Sequence, residues 1–415
     1  MFKRNFLLIL LLILIRFLFF IPLLSNENAI LEAVSDGKEY YELAKNLALS
    51  FNYEREGKFD TKRPPLFPFL LSLFYFIYPK PYIGFIFYLI LSIIFLLLIK
   101  KYCPKEIFYP FAFLFILSPQ INFYSLFPIT DLLFGIFLFL TYLFLKNNKT
   151  SLSLIFFSSL PYIKPVGLLL PPFLAAYYFV KKSFKKALLF ILIPYLSILP
   201  WSFLTYKKIN LFTFSTLPYI NFFSYYLPVA KSLKEKISYE RAKELMNEDL
   251  EKNLKENYTE KDYWQTIKEI SLKEFKKATF HFFISHFIFS FNTLISPISF
   301  KPLLIYLNKK IERPIQQEIF ASFLKGRVIE SINIFLKERL FKIGLFGNFL
   351  LVYSFIFLLF ILIQFVKIIR REKPLLELLI IFPLIFSTGV VGEARYRLLF
   401  EVIIYFLIVK SFKKD

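Results

Sequence analysis

The chain has 415 residues, 57% of them apolar and 21% aromatic, with a formal net charge of +22 from 52 Lys and Arg against 30 Asp and Glu. Long charge-free apolar runs exclude an ordinary soluble domain. Only helices or a closed barrel span a bilayer, and continuous rather than alternating runs select helices. The expected fold is all-α: a polytopic membrane protein with about ten transmembrane helices, interfacial helices and an external helical segment.

The positive charge collects in short loops between apolar runs, as the positive-inside rule demands. It therefore indicates a membrane and not nucleic acid. One cysteine, Cys103, excludes an intrachain disulfide and a thiolate metal cluster. His281 and His286 lack the i, i+4 spacing of a helical zinc pair and read as interfacial aromatics. No metal site is expected. With ten glycines the chain has no phosphate-cradling Gly-rich loop, so no nucleotide cofactor is expected either.

In chain order, Lys3 and Arg4 precede a first span ending near Leu24, N-terminus inside. An external loop over 25–81 follows. It opens on Ser35-Asp36-Gly37, where Tyr40, Tyr41, Ala44, Leu47 and Ala48 recur on one helical face and Lys38, Glu39, Glu42, Lys45 and Asn46 on the other. That pattern predicts a helix in the membrane interface. Asp36 with Glu39 also fits a capping box. Arg63-Pro64-Pro65-Leu66-Phe67-Pro68 leads an apolar run to Tyr78. Keeping this run in the interface puts the Lys100–Lys105, Lys146–Lys149, Lys181–Lys186, Arg370–Lys373 and Lys413-Lys414 clusters all inside.

Further spans are then expected at 82–100, 106–124, 127–145, 151–163, 165–180 and 184–204. A long external segment covers 205–345, with an interfacial helix at 280–300. Three more spans, at 347–369, 375–391 and 398–411, return the C-terminus to the inside. The units are thus 1–204 with its external catalytic loop, 205–345, and 346–415.

In this topology every short external turn carries polar groups: Asp36 and Arg63; Ser125–Asp131; Tyr162-Ile163-Lys164-Pro165; Pro200-Trp201 with Tyr206 and Lys207; and Glu393-Ala394-Arg395-Tyr396-Arg397. Ionisable groups at that depth are costly to place and read as functional. Local roles compete with this reading: Asp131 could serve its helix start, and Lys164 or Lys207 could snorkel to headgroups. Several cations facing outward suit a phosphate, which arginine binds bidentately. A carboxylate beside them suits a general base. Nucleotides are scarce outside the membrane, so an activated donor there is most naturally lipid-linked. Sugar transfer from a polyprenyl phosphate needs these parts, with fixed cations stabilising the leaving phosphate.

The ordered set of motifs resembles the GT-C glycosyltransferases of the protein O-mannosyltransferase and lipid A aminoarabinose transferase type. Five stretches carry it: Ser35-Asp36 with Tyr40 to Leu47; Arg63 to Pro68; Thr130-Asp131; Lys164-Pro165 followed by Leu199-Pro200-Trp201; and Glu393 to Arg397. The resemblance implies an inverting transferase with a polyprenyl-phosphate sugar donor and a lipid, glycan or protein hydroxyl as acceptor. It places the general base at Asp36; Asp131 joins it in the expected catalytic set, orienting a base partner or the acceptor. Phosphate contacts would come from Lys164, Arg63, Arg395 and Arg397, and the substrate pocket would include Tyr40, Tyr396 and Glu393. The implied location is a bacterial inner or plasma membrane, site outward and both termini cytoplasmic. Gly37 stands where many relatives carry a second acid, and a lone carboxylate is a poor divalent-ion site. Leu398-Leu399 stand where a proline is frequent. A lipid-linked saccharide transporter and a non-catalytic envelope-assembly protein are the alternatives.

Overall fold

The computed structural model describes residues 2–24, 26–254, 256–309, 329, 343–372 and 374–412. The end of the expected external segment, Lys373 and Lys413-Lys414 lie outside the described residues. The structure is about 81% helical, and among the described residues the strands amount to one hairpin of two-residue strands, Glu54–Arg55 against Lys58–Phe59. Among the described residues five helices are long and apolar enough to cross a membrane: Arg4–Leu23, Ile83–Tyr102, Phe184–Ile209, Glu260–Ile295 and Gly344–Glu372.

The helices used below are α1 (Phe2–Phe20), α2 (Glu27–Glu32), α3 (Ser35–Ser50), α4 (Leu66–Tyr75), α5 (Ile83–Tyr102), α6 (Lys105–Leu117), α7 (Pro119–Tyr124), α8 (Asp131–Lys146) and α9 (Thr150–Ile163). They continue with α10 (Leu170–Val180), α11 (Phe184–Ser197), α12 (Leu199–Ile209), α13 (Leu217–Asn221), α14 (Leu227–Glu235), α15 (Tyr239–Asn253) and α16 (Glu260–Ile295). The last four are α17 (Phe300–Tyr306), α18 (Gly344–Glu372), α19 (Leu375–Thr388) and α20 (Leu398–Phe412).

Each predicted apolar run is helical, but several are broken. The run expected at 106–124 splits into α6 and α7 at Ser118, whose hydroxyl accepts the Ile121 N–H. Pro119 forces the break: it cannot donate into α6 but is at home in the first turn of α7. Pro200 sits likewise in the first turn of α12, directly after α11. At ten residues, α4 is about 15 Å long, half a bilayer core. The charged stretch before residue 278 and the apolar one after it form one helix, α16, kinked at Ala278. The interfacial helix expected at 280–300 is therefore the second half of a 36-residue helix apolar enough to span.

Two hydrophobic cores result. The large one is built on α5, α6, α8 and α20; α20 is buried on all sides, from Leu398 to Val409. The small one joins α14, α15 and α16 through Phe223, Leu227, Met246, Leu250, Ile267 and Ile270. α20 can approach α8 closely because Gly135 lies against the Leu398 carbonyl, where a Cβ would overlap it. That contact seats the turn preceding α20, the 3-10 segment Ala394–Arg397, beside the start of α8.

Candidate functional site

Helix α3 begins at Ser35 after an extended Val34, and no side chain caps it. The capping box that Asp36 and Glu39 could form is not made. Asp36, Glu39 and Tyr40, at i, i+3 and i+4, share a face instead. The expected two-faced pattern placed Glu39 opposite Tyr40; Glu39 actually turns with Asp36 toward Arg63.

Arg63 is held from behind. The Asp60 carboxylate accepts the backbone N–H groups of Lys62 and Arg63 at 2.9 and 2.7 Å, and the Tyr53 hydroxyl donates to the Arg63 carbonyl at 2.7 Å. The guanidinium then reaches forward. Its Nη2 donates to Asp36 Oδ1 and its Nε to Glu39 Oε2, both at 2.6 Å. It lies over the Tyr40 ring, 5.1 Å from the centroid. Lys62 and Arg55 add contacts to Glu39 at 2.7 and 2.8 Å.

From the far end of the chain, Arg395 Nη1 reaches Asp36 Oδ2 at 3.0 Å. Both oxygens of Asp36 are thus engaged, one by each guanidinium. Burial would push this carboxyl up, but the charges of Arg63, Arg395 and Lys164 outweigh it and hold it well below the usual carboxylate range. Glu39 is likewise lowered: burial is overcome by Arg63 and Lys62.

Asp131, in the first turn of α8, does not cap its helix. It is 1% exposed and pairs with Lys164 Nζ at 2.5 Å. Lys164 sits where α9 ends and a 3-10 turn over Pro165–Leu169 begins. That turn folds back so closely that a Cβ at Gly167 would lie 2.6 Å from the Pro161 nitrogen. The Lys164 ammonium stands 4.3 Å over the Tyr396 ring, and the Arg395 guanidinium 4.8 Å over the same ring.

These groups form the floor of a cavity of about 1650 Å³. Among the described residues, its lining cations are Lys62, Arg63, Lys164, Lys268 and Arg395, and its lining carboxylates are Asp36, Glu39 and Glu393. Tyr40 and Tyr396 line it too. The walls are largely apolar and aromatic. Val166, Leu168 and Leu169 come from the turn after Lys164, Pro218, Tyr219 and Phe222 from α13 and the turn after it, Ile288, Phe291 and Ile295 from α16, and Leu351, Val352 and Phe355 from α18. Of these, Ile288, Phe291, Ile295, Val352 and Phe355 are each about half exposed.

Of the residues singled out in the sequence, Asp36, Tyr40, Arg63, Lys164, Glu393, Arg395 and Tyr396 line this one cavity. Asp131 is outside the lining but reaches it through Lys164. Arg397 stands apart. It is 1% exposed and donates to the carbonyls of Leu294 at 3.1 Å and Ser296 at 2.8 Å, with Glu401 at 3.8 Å. It holds the C-terminal end of α16 and does not face the cavity. A 3-10 turn advances about 120° per residue, so positions 395 and 397 project to different sides. Trp201 is also outside, packed on Tyr53 and Phe59 of the hairpin loop. His286, expected at an interface, is buried against Tyr226, Phe282 and Phe386. Sequence reasoning missed Glu39 as a partner of Arg63, and Lys62 and Lys268 as lining cations; the i, i+3 relation of Glu39 to Asp36 was the available signal. Among the described residues no group of three or more His, Cys, Asp or Glu could hold a metal.

Fold and site define a helical protein, with several helices able to cross a membrane, that gathers a buried ionic cluster at one end of a large apolar cavity. No family model matches the chain, and neither a curated protein nor a solved structure matches it.

Proposed function

We propose that the protein is a membrane glycosyltransferase of GT-C type that moves a sugar from a polyprenyl-phosphate donor to a hydroxyl acceptor at the external face of a bacterial plasma membrane. The observation that carries this reading is the make-up of the cavity: two arginines and a lysine gather with their carboxylates on one set of turns, and the rest of the lining is largely apolar and aromatic. A polyprenyl phosphate is made up in the same way, with a charged head on a hydrocarbon tail. A phosphodiester donor carries one negative charge and its monoester leaving group approaches two, so guanidiniums and an ammonium that meet the phosphate more strongly as that charge develops favour bond cleavage.

In this reading Arg63, Arg395 and Lys164 hold the phosphate. Asp36 spaces the two guanidiniums and Asp131 positions the Lys164 ammonium. Asp36 can itself accept a proton only once both arginines have passed to the phosphate.

The test is direct. Purified protein in nanodiscs should bind undecaprenyl phosphate and should consume an undecaprenyl-phosphate monosaccharide without ATP or an ion gradient. Binding without consumption, together with movement of the lipid between leaflets, would replace the transferase with a transporter.

A further inference from the structure

Three carboxylates line the cavity among the described residues, and they are not equivalent. Asp36 has a guanidinium on each oxygen, at 2.6 and 3.0 Å. Glu39 receives Arg63, Lys62 and Arg55 within 2.8 Å. Among the described residues, the one ion pair of Glu393 is a long one, Oε2 to Arg395 Nε at 3.4 Å, and its side chain is 45% exposed. It lines the cavity just before the turn that carries Arg395.

Resting on the transferase reading, we propose that Glu393 is the catalytic residue that takes the proton from the attacking hydroxyl. The acceptor oxygen attacks the anomeric carbon as the bond from that carbon to the phosphate oxygen breaks. The bonding pair leaves with the polyprenyl phosphate, and the hydroxyl proton passes to the Glu393 carboxylate. Solvent entering the cavity then removes that proton and restores the charge.

The surroundings suit a base more than those of Asp36 do. The charged groups facing Glu393 are Arg395 on its own turn, Asp36 on α3, Asp131 on α8 and Lys301 on α17. Burial within the body of the protein pushes its carboxyl above the ordinary range; Arg395 opposes this, while Asp36 and Asp131 reinforce it. A higher pKa makes a stronger base, provided the group is still ionised at the working pH. Asp36, lowered by its arginines, lies on the unfavourable side of that balance. Its role is to keep Arg395 and Arg63 apart at the spacing of a phosphate.

The experiment uses the full chain in nanodiscs, with undecaprenyl phosphate as the binding probe. Sugar release from undecaprenyl-phosphate monosaccharides, with water as the acceptor, is the turnover probe. Glu393→Gln should bind undecaprenyl phosphate within about threefold of the wild type and lose about 100-fold or more in turnover. Its turnover should also lose the acid limb of the pH profile, which in the wild type lies above the usual carboxylate range. Glu393→Asp should recover part of the rate and restore the limb. Near-normal turnover in Glu393→Gln, or an acid limb that moves only in Asp36→Asn, overturns the assignment and leaves the transferase standing. Joint loss of binding and turnover in both Glu393 variants marks a structural role and also overturns it. Wild-type protein that neither binds the lipid nor releases sugar overturns the transferase reading and this one with it.

Discussion

The cavity floor and the small core of α14, α15 and α16 are both rich in ion pairs, yet they use charge differently. On α15 Arg241 is 50% exposed and reaches Glu244 and Glu248, 62% and 44% exposed, along its own helix. At the floor, Arg63 and Arg395 are 5% and 6% exposed and meet a carboxylate from a different part of the chain. Pairs of the first kind are screened by water and hold long side chains at an entropic cost, so they contribute little. Pairs of the second kind have already lost their hydration, and removing one partner strands the other. The floor is thus a place where charge has been concentrated against its own solvation. The small core is held by Phe223, Leu227, Met246 and their neighbours, with Arg241 and its partners on its solvated side and one buried pair, Lys231 with Glu274, inside it.

Substitutions sharpen that contrast. The largest effect is expected from Arg395→Gln, which removes one guanidinium from Asp36. It should lower stability by about 3 kcal/mol and weaken undecaprenyl phosphate binding at least tenfold; an unmoved unfolding midpoint in detergent would place the floor in the same energetic class as the surface pairs. The pH dependence has a definite sign. Asp36 is depressed in the folded protein, so its contribution is complete above its unfolded value of about 3.9 and is lost only as pH falls through the lower folded value. The stability difference between wild type and Asp36→Asn should therefore be the same at pH 7 and pH 5, as thermal unfolding at the two values would read.

Next comes Arg397→Gln, expected to cost about 2 kcal/mol through the freed carbonyls at the end of α16. Hydrogen exchange should rise at Thr293–Ile298, while undecaprenyl phosphate binding stays close to that of the wild type. Gly135→Ala puts a Cβ into the Leu398 carbonyl and should cost about 1–3 kcal/mol as α20 and the Arg395 turn shift. Its signature is weakened lipid binding without any change at a charged residue. Smallest of all, Arg241→Ala should leave the unfolding midpoint and lipid binding unchanged; a measurable loss of either would make the exposed pairs of α15 more than solvated decoration.

Much of the floor was legible in the sequence because its members lie in short polar turns between apolar runs, where bilayer energetics leaves few reasons for charge. Asp36, Arg63, Lys164 and Arg395 all declared themselves this way. Arg397 carried the same signal for a different reason. A buried helix end needs donors for its last carbonyls, and an arginine meets that need as readily as it binds a phosphate. Residue type and turn position do not separate the two uses.

The sequence by itself determined the helical class, since apolar runs of this length have no other way to satisfy their backbone in lipid. It also determined the order of the polar turns along the chain. Tertiary structure decided which carboxylates are spent and which is open. Asp36 and Arg395 are 359 positions apart, and their contact depends on how closely α20 packs on α8 and on the direction each residue of one 3-10 turn faces. Such contacts arise from three-dimensional packing between segments that carry no local record of one another, so no pattern within either segment announces them.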